Sequence, residues 1–286
     1  MLFIDTHTHL YDEAYVDDAG RDDAVRRAAD AGVGMMIVPD TCAKDRKGVF
    51  DICARWPHNT RPCVGLHPEE VDGNWKRELD VTLDAIRRHS RKGNGNAGTD
   101  DGGSDSGNAG IIAVGEIGLD LHWSREFAKE QEEVLRVLLD AALESGLPVI
   151  LHTRDAFEQT FRVLEDYRGK GLRGVFHAFS GSLETFRRIG RYGDWYVGIG
   201  GVLTFRNASI ATTVKDIPLE RILLETDSPY LTPVPHRGER NESAYIPLIA
   251  AFLAQIRQTT LETIASTTTG NAVSLFGPGL QNTDFI

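Results

Sequence analysis

Eight short apolar segments recur along the chain, and helical patterns separate most of them. They cover residues 2–7, 34–39, 61–66, 111–116, 147–152, 173–178, 195–200 and 221–226. Near-continuous apolar strands of this kind are typical of a parallel sheet that helices cover on both faces. Eight strand–helix units predict a (β/α)8 barrel. A doubly wound open sheet is the alternative, but it usually has fewer strands and a glycine-rich loop after the first, where this chain has HTH.

The length of 286 residues suits one barrel, and we predict a single domain over residues 1–286. Amphipathic patterns at 22–32, 127–146 and 182–193 supply helices between the strands. Residues 91–110 break the alternation, because they are rich in Gly, Asn, Asp and Ser and have little to bury. We interpret this stretch as a flexible insertion before the fourth strand.

Charge and cysteine content indicate which functions and which cellular compartment this chain is suited to. A formal net charge of −11 argues against binding nucleic acid through a broad basic surface, although it permits a local basic pocket. Three cysteines without CxxC spacing fit a reducing compartment. We see neither a signal peptide nor an apolar run long enough to cross a membrane, so we expect a cytoplasmic protein. The sequence shows no exposed apolar stripe that would need a partner subunit to cover it, so we expect a monomer.

Histidines and carboxylates occupy the predicted carboxyl ends of the strands. In a barrel these ends meet at one rim, where reactive residues lie. A lone histidine there is more often a hydrogen-bonded structural residue, but the whole set on one rim indicates a site. Five of the nine histidines take part, and the set is His7, His9, His67, Glu116, His152, His177 and Asp227.

Four imidazoles and two carboxylates of this set are enough to bind two divalent cations and leave positions for water. Such cations lower the pKa of a bridging water and neutralise charge on a phosphoryl or acyl oxygen, so hydrolysis is the predicted reaction. Glu116 is suited to bridge the cations. Asp227 is suited to bind one of them, orient the nucleophile and accept its proton.

Seven motifs resemble, in order and over nearly the whole chain, those of the TatD-like metal-dependent deoxyribonucleases of the amidohydrolase superfamily. They are DTHTHL, GLHP, VGEIGLDLHW, LHTRDAF, FHAFSGS, ETDSPYLTPVPHRGERNE and TTTGNAVSLF. The resemblance implies a metal-dependent phosphodiesterase that degrades single-stranded DNA from the 3′ end. It also implies a metal, reported as Mg²⁺, Mn²⁺ or Zn²⁺, and these ligands: His7, His9, Glu116, His152, His177 and Asp227. Nitrogen-rich ligands suit Zn²⁺ or Mn²⁺ better than Mg²⁺.

The motifs also depart from the family pattern. Ala178 stands where a cysteine is usual, Ser243 where a proline is common, and Leu121 where an aromatic residue is often found. None of these positions is a predicted metal ligand. The departures therefore bear on substrate details rather than on the chemistry.

Basic and aromatic residues near the rim are candidates for contacts with a nucleic acid. Arginine suits phosphate because its planar group donates two parallel hydrogen bonds. We predict that His67 donates to a non-bridging oxygen of the scissile phosphate, and that Trp123 either stacks on a base or anchors its loop. The candidates for phosphate contacts are Arg154, Arg206, His236 and Arg237, with Arg240 close to them.

Two other functions compete with the nuclease. The same site could hydrolyse esters or amides, as a small-molecule amidohydrolase or a D-aminoacyl-tRNA deacylase. No lysine stands at a strand end to form the carbamate of many amidohydrolases, which weighs against their usual form. The third hypothesis is a non-catalytic role, in which the metals are structural or the protein is a partner-binding module. Structural metal sites are usually closed, which disfavours it.

Overall fold

The protein forms an eight-stranded parallel barrel, which a computed structural model describes for residues 1–93, 110–277 and 280. Neighbouring strands in the barrel follow each other in sequence. All eight predicted strands are confirmed. They are Phe3–Asp5 (β1), Val33–Pro39 (β2), Thr60–Leu66 (β3), Val114–Asp120 (β4), Val149–Arg154 (β5), Arg173–Phe176 (β6), Asp194–Ile199 (β7) and Ile222–Leu224 (β8).

Contacts between the first and last strands distinguish the barrel from an open doubly wound sheet. The backbone of Thr6 donates to Leu224 O at 3.0 Å. Thr8 forms a parallel bridge with Ser228, and their hydroxyl oxygens lie 2.6 Å apart. These contacts join the carboxyl ends of β1 and β8, so the metal-ligand candidates after both strands face the same opening.

Helices cover the outside of the barrel. In the described part of the chain they are Asp18–Asp30 (α1), Ala43–Arg55 (α2), Trp75–Gly93 (α3), Ala128–Ser145 (α4), Phe157–Glu165 (α5), Leu183–Ile189 (α6), Ile210–Thr213 (α7), Ile246–Arg257 (α8) and Leu261–Phe276 (α9). The longest apolar face in the sequence is confirmed, since α4 buries Val134, Leu135, Leu138, Leu139 and Ala142 against the strands. The other helices bury their apolar faces in the same layer.

A second, smaller core fills the barrel interior. Each strand or its immediate flank contributes to it, as Ile150, Val175 and Leu223 do. Residues of α9 complete this core, and Arg173 at the start of β6 donates to the α9 carbonyl of Leu275. Helix α9 therefore closes the amino-terminal end of the barrel and leaves the opposite end to the functional residues.

Several boundaries differ from the sequence-based prediction, and β5 continues to Arg154, two residues past the predicted end at His152. Strand β4 begins at Val114 and continues to Asp120, so Glu116 lies within the strand and not at its end. Residues 91–93, predicted to begin the insertion, are the last residues of α3. Most of the predicted insertion lies outside the described residues, so its flexibility stays a prediction. Among the described helices, none has the length and apolar character needed to cross a membrane.

Candidate metal centre

The alternation of side chains along each strand aims polar residues into the carboxyl end of the barrel. Successive side chains in a strand point to opposite faces, so residues two apart share a face. Ile150, Val175 and Leu223 face the interior, and two residues later the same faces carry His152, His177 and Glu225. The barrel core thus changes from aliphatic to ionisable side chains within one layer.

One oxygen of Glu116 faces the first two histidines. Its Oε2 lies 3.1 Å from His7 Nε2 and 3.7 Å from His9 Nε2. Asp227 Oδ1 lies 3.6 Å from His7 Nε2 and 3.4 Å from His9 Nε2, and these two nitrogens are 3.1 Å apart. Donor atoms around a tetrahedral metal with bonds of about 2.1 Å are about 3.4 Å apart. This group of atoms therefore has the spacing of a ligand set.

The other oxygen of Glu116 faces three further histidines. Its Oε1 lies 2.9 Å from His152 Nδ1, 3.1 Å from His177 Nε2 and 3.4 Å from His67 Nε2. The donor atoms of His67, Glu116 and His152 lie within 4.8 Å of one another, and so do those of two further sets, His7, His9 and Glu116, and His7, His177 and Asp227. Glu116 consequently connects two groups of donors, one through each oxygen.

The outward nitrogen of His152 meets a carboxylate. Asp120 Oδ2 lies 2.9 Å from His152 Nε2, and Asp120 is itself buried. Burial opposes ionisation, but hydrogen bonds from His152 and from the backbone of His122 lower the pKa of Asp120 to about 2. A histidine that donates one N–H to a carboxylate presents its other nitrogen as a fixed metal ligand. Asp120 therefore aims Nδ1 of His152 at the centre.

His177 has a similar partner. Glu225 Oε1 lies 3.4 Å from His177 Nδ1 and accepts from the backbone N–H of Ala178 at 2.5 Å. A Cβ on Gly198 would lie 2.0 Å from the other oxygen of Glu225, so only glycine leaves space for this carboxylate. Ala178 and Asp227, next to these contacts, both adopt positive φ values, 45° and 58°.

Asp5, two residues before His7, does not belong to the metal-ligand groups found among the described residues. It is fully buried and accepts from the backbone N–H of His7 and from the backbone and hydroxyl of Thr226. Burial raises the pKa of Asp5 to about 7, although the hydrogen bonds from Thr226 and from the backbone of His7 oppose this. Asp5 thus anchors the segment after β1 to the segment after β8.

The central charges stabilise one another. Burial opposes ionisation of Glu116, but the imidazoles of His177, His7 and His67 outweigh it and hold the pKa of Glu116 well below its usual value. Burial also opposes protonation of His177, yet Glu116, Glu225 and Asp227 raise its pKa well above the usual value. A buried cluster of this kind needs positive charge close to its carboxylates, and protons or divalent cations can both supply it.

The donor set fits divalent cations. Imidazole nitrogens and carboxylate oxygens suit Zn²⁺ and Mn²⁺, and the spacing on each side of Glu116 leaves room for an ion. His7 Nδ1 is buried without a hydrogen-bond partner, which leaves that ring held chiefly through its Nε2 side. The structure therefore brings all the predicted metal ligands together, and His67 lies beside them. These ligands are His7, His9, Glu116, His152, His177 and Asp227.

A cavity of about 970 Å³ opens above these residues. Its basic lining residues are Arg21, Lys44 and Arg154. Acidic side chains from the loops after β1, β2 and β3 line one side, namely Asp12, Glu13, Asp45, Glu69 and Glu70. An apolar side is formed by Phe179, Ile199, Val202, Leu203, Ile210 and Leu231.

Of the arginines and histidine predicted to contact phosphate, only Arg154 lines this cavity. Arg206 is exposed elsewhere on the rim. His236 stacks on Tyr245, with ring centroids 4.4 Å apart, and pairs with Glu239. Arg237 lies over the ring of Phe205 and donates to Thr232 O. The last two residues brace the loop after β8, and Arg240 likewise donates to Ala14 O.

Sequence reasoning assigned no role to Asp120 and Glu225, although both were visible in the motifs. Each stands at an even spacing from a predicted ligand: Asp120 is four residues after Glu116, and Glu225 is two before Asp227. Glu116 and Asp120 both lie in β4, where this spacing puts their side chains on one face, so the strand pattern identifies Asp120 as a candidate. Glu225 and Asp227 follow β8, and only the tertiary structure shows that Glu225 faces His177.

Comparison with known proteins agrees with this geometry. The family model described as TatD related DNase matches residues 4–277. An uncharacterized metal-dependent hydrolase of Bacillus subtilis, YabD, is 33% identical over 96% of this chain and 99% of its own length. The protein named 3′-5′ ssDNA/RNA exonuclease TatD from Escherichia fergusonii is 30% identical over 90% of this chain and 93% of its own.

A solved structure has the same architecture. The TatD homologue YjjV of Escherichia coli superposes with a TM-score of 0.82 at 29% identity, covering 96% of this chain and 97% of its own. The family match thus covers nearly the whole chain, including the barrel and the ligand cluster at its carboxyl end. This chain belongs to the TatD related DNase family of metal-dependent hydrolases.

Proposed function

We propose that this protein is a metal-dependent phosphodiesterase that removes nucleotides from the 3′ end of single-stranded DNA, or of RNA. The observation that carries the proposal is the position of Glu116, whose two oxygens face separate groups of donors. Such an arrangement suits a pair of cations joined by a carboxylate, which is common in phosphodiester hydrolysis. The name of the 30% identical relative, an exonuclease for single-stranded DNA and RNA, supports this substrate class.

The proposal assigns two divalent cations, Mg²⁺, Mn²⁺ or Zn²⁺, to the cluster. When bound, they would supply an activated water at neutral pH and offset the charge that develops on the phosphoryl oxygens. His7, His9 and Asp227 would hold one side, and His152 and His177 the other, with Glu116 shared between them. Asp120 and Glu225 would keep the last two imidazoles in place.

Two side chains have further roles in the proposed reaction. Asp227, with its carboxylate at the cavity, would orient the attacking water and accept its proton. His67 Nδ1 accepts from the backbone N–H of Glu69 at 3.2 Å, so in the neutral ring the proton is on Nε2. Nε2 lies at the centre, 3.4 Å from Glu116 Oε1. His67 would therefore donate to a non-bridging oxygen of the scissile phosphate.

Arg154 is the remaining phosphate contact in this proposal, since it lines the cavity from β5. The proposal also places the reaction in the cytoplasm. All three cysteines are buried and free, which suits a reducing compartment. The expectation of a monomer stays a prediction.

The test is hydrolysis of a single-stranded oligonucleotide with a fluorescent label by metal-stripped protein. Mg²⁺, Mn²⁺ and Zn²⁺ are added back separately, and Glu116→Ala and Asp227→Ala serve as inactive controls. We expect stepwise shortening from the 3′ end that requires metal and disappears in both variants. Absence of cleavage by protein that elemental analysis shows to be loaded would contradict the proposal.

The charge of the cavity favours a second candidate, an ester or amide hydrolase. Acidic residues on one side of the cavity would attract an amino group, and the opposite side is apolar. A D-aminoacyl ester of tRNA has both an amino group and an ester bond. The same metal-loaded protein should be incubated with such an ester, and release of the amino acid at a higher kcat/KM than nucleotide release would favour this candidate.

A further inference from the structure

Two exposed aromatic side chains stand on the rim of the cavity. Trp123 is 71% exposed and Tyr230 is 54% exposed, and they are the aromatic members of the exposed large hydrophobic residues in the described part of the chain. Both line the cavity that holds the metal-ligand candidates. A single exposed apolar side chain is ordinary, but two aromatic rings on the rim of one cavity are candidates for contacts with a ligand.

The two rings lie on opposite sides of the barrel opening. Trp123 follows β4 and Tyr230 follows β8, and in a barrel with strands in the order β1 to β8 these two strands are half a turn apart. Glu116, on β4, and Asp227, after β8, place the metal-ligand cluster between them. A strand laid across the opening would therefore meet one ring on each side of the reacting bond.

Other side chains hold the Trp123 ring. The guanidinium carbon of Arg154 is 5.2 Å from the indole centroid, and the ring of His122 meets the indole edge-on at 4.8 Å. His122 is fixed in turn, because its Nδ1 lies 2.7 Å from Asp155 Oδ2. The indole is thus oriented before any ligand binds, while most of its surface stays open to solvent.

Tyr230 is held from its polar end. Its hydroxyl donates to Asp12 Oδ2 at 2.9 Å, and its ring lies 6.1 Å from that of His9. The hydroxyl is therefore already paired, and the aromatic face is what remains for a ligand. Flat aromatic faces on both sides of a phosphate-hydrolysing centre match the stacking platforms that bind unpaired bases.

We propose that Trp123 and Tyr230 stack on the bases that flank the scissile phosphate, so that the strand crosses the opening from the loop after β4 to the loop after β8. This inference rests on the proposed nuclease function and deepens it. Arg154, beside Trp123, would face the phosphate next to the stacked base. Stacking of this kind requires unpaired bases and tolerates any sequence.

The kinetic test compares an oligothymidylate with versions that carry an abasic tetrahydrofuran residue at the 3′-terminal position, the penultimate position or both. Loss of one stacked base should raise KM about 5- to 150-fold and change kcat little. Trp123→Ala should raise KM for the intact strand by a similar factor and become insensitive to one of the two abasic positions. Tyr230→Ala should do the same for the other position.

The controls keep the result interpretable. Trp123→Phe and Tyr230→Phe retain a ring and should recover most of the wild-type KM, and Leu248→Ala removes an exposed apolar side chain on α8, outside the cavity lining. Because all these side chains are exposed, thermal unfolding should stay near that of the wild type. A KM that is unchanged in both alanine variants would overturn the inference.

A binding measurement separates this inference from the proposed function. Oligothymidylate added to metal-free protein should quench tryptophan fluorescence, and Trp123→Phe should abolish the quenching. Trp75 and Trp195 are buried, and the half-buried Trp56 donates to Asp22 outside the cavity lining. If no metal supports cleavage but the quenching is observed, the result would contradict the proposed nuclease function and support the stacking inference. Cleavage without quenching, and with normal KM in the variants, would contradict the stacking alone.

Discussion

Asp120 Oδ2 lies 2.9 Å from Nε2 of His152, on the side of the imidazole away from Glu116. The opposite nitrogen, Nδ1, is 2.9 Å from Glu116 Oε1. The ring is therefore held between two carboxylates, one at the centre and one behind it. Both carboxylates come from β4, which means that one strand supplies the carboxylate at the centre and the carboxylate that orients a histidine of the next strand.

Replacing Asp120 should weaken metal binding. Asp120→Asn removes the charge that holds His152 in one tautomer, and loss of such an outer carboxylate lowers metal affinity about 10- to 100-fold. Competition with a fluorescent chelator measures the change. The control is Asp194→Asn. Asp194 stands at the start of β7, is exposed and pairs with Arg221, so this variant should bind metal normally. Equal affinities of the two variants would contradict the role assigned to Asp120.

Replacing Glu116 should affect both sides of the centre at once. Glu116→Gln replaces the carboxylate by a neutral amide, so both groups of histidines lose their anionic partner and one of them faces an NH2 group in place of an oxygen. We expect a lower metal-to-protein ratio in elemental analysis and a loss of hydrolytic activity greater than about 100-fold. Glu158→Gln, which removes an exposed carboxylate paired with Arg188, is the matched control. A wild-type ratio in Glu116→Gln would show that this carboxylate does not connect two ions.

A methyl group at Gly198 should displace Glu225. The added Cβ would lie 2.0 Å from Glu225 Oε2, and the carboxylate is too buried to move into solvent. Gly198→Ala should lower the free energy of unfolding by about 1–3 kcal/mol and weaken metal binding through His177. Gly270→Ala, where no atom lies within 4 Å of the new Cβ, should be neutral or stabilising, because it lies within α9. Urea unfolding compares the two, and equal stabilities would refute the prediction.

The pair of Arg27 and Glu242 should stabilise the loop after β8. Arg27 donates through Nε and Nη2 to both oxygens of Glu242, which is buried. Arg27→Ala leaves this carboxylate without its main partner and should cost about 1–3 kcal/mol of unfolding free energy. Its neighbour Arg26 pairs with the exposed Asp23, so Arg26→Ala should change stability by less than about 0.5 kcal/mol. A larger effect at Arg26 would contradict this assignment.

The cysteines should be inert in the folded protein. Burial raises the pKa of the Cys53 thiol to about 12 and that of Cys63 well above its usual value, and burial with the Asp45 carboxylate raises that of Cys42. Since the thiolate is the reactive form, all three thiols should react slowly with a disulfide reagent at pH 7, and the rate should rise about tenfold per pH unit up to pH 9 while staying far below that of an unfolded thiol. In urea all three thiols should react rapidly. A fast native phase at pH 8 would contradict the prediction.

Much of the fold was readable from local patterns. The apolar strands and the amphipathic α4 predict their own secondary structure, and eight repeats of one unit predict a barrel, because each strand must be covered on both faces. The motif around His177 also placed this residue at a strand end, whereas β5 continues two residues past His152. The exact span of β4 was not readable, because apolar residues 111–113 precede the strand and join the cores without belonging to it.

The functions of single polar residues were harder to predict, because they depend on contacts between distant parts of the chain. Asp5 and His7 are two residues apart, yet Asp5 bonds to Thr226 across the junction of β1 and β8 while His7 faces the centre. His236 and Arg237 follow Asp227 closely in sequence, but packing on Tyr245 and Phe205 keeps them out of the cavity lining.

The sequence by itself thus determined the architecture and the chemical type of the centre, since periodicity, strand ends and ligand types are local properties of the chain. Only the tertiary structure decided which oxygen of Glu116 faces which histidine, which carboxylate holds His152, and which basic side chain lines the cavity. These depend on the register of neighbouring strands and the packing of loops, and distances of a few ångströms between remote residues are set only when the barrel closes.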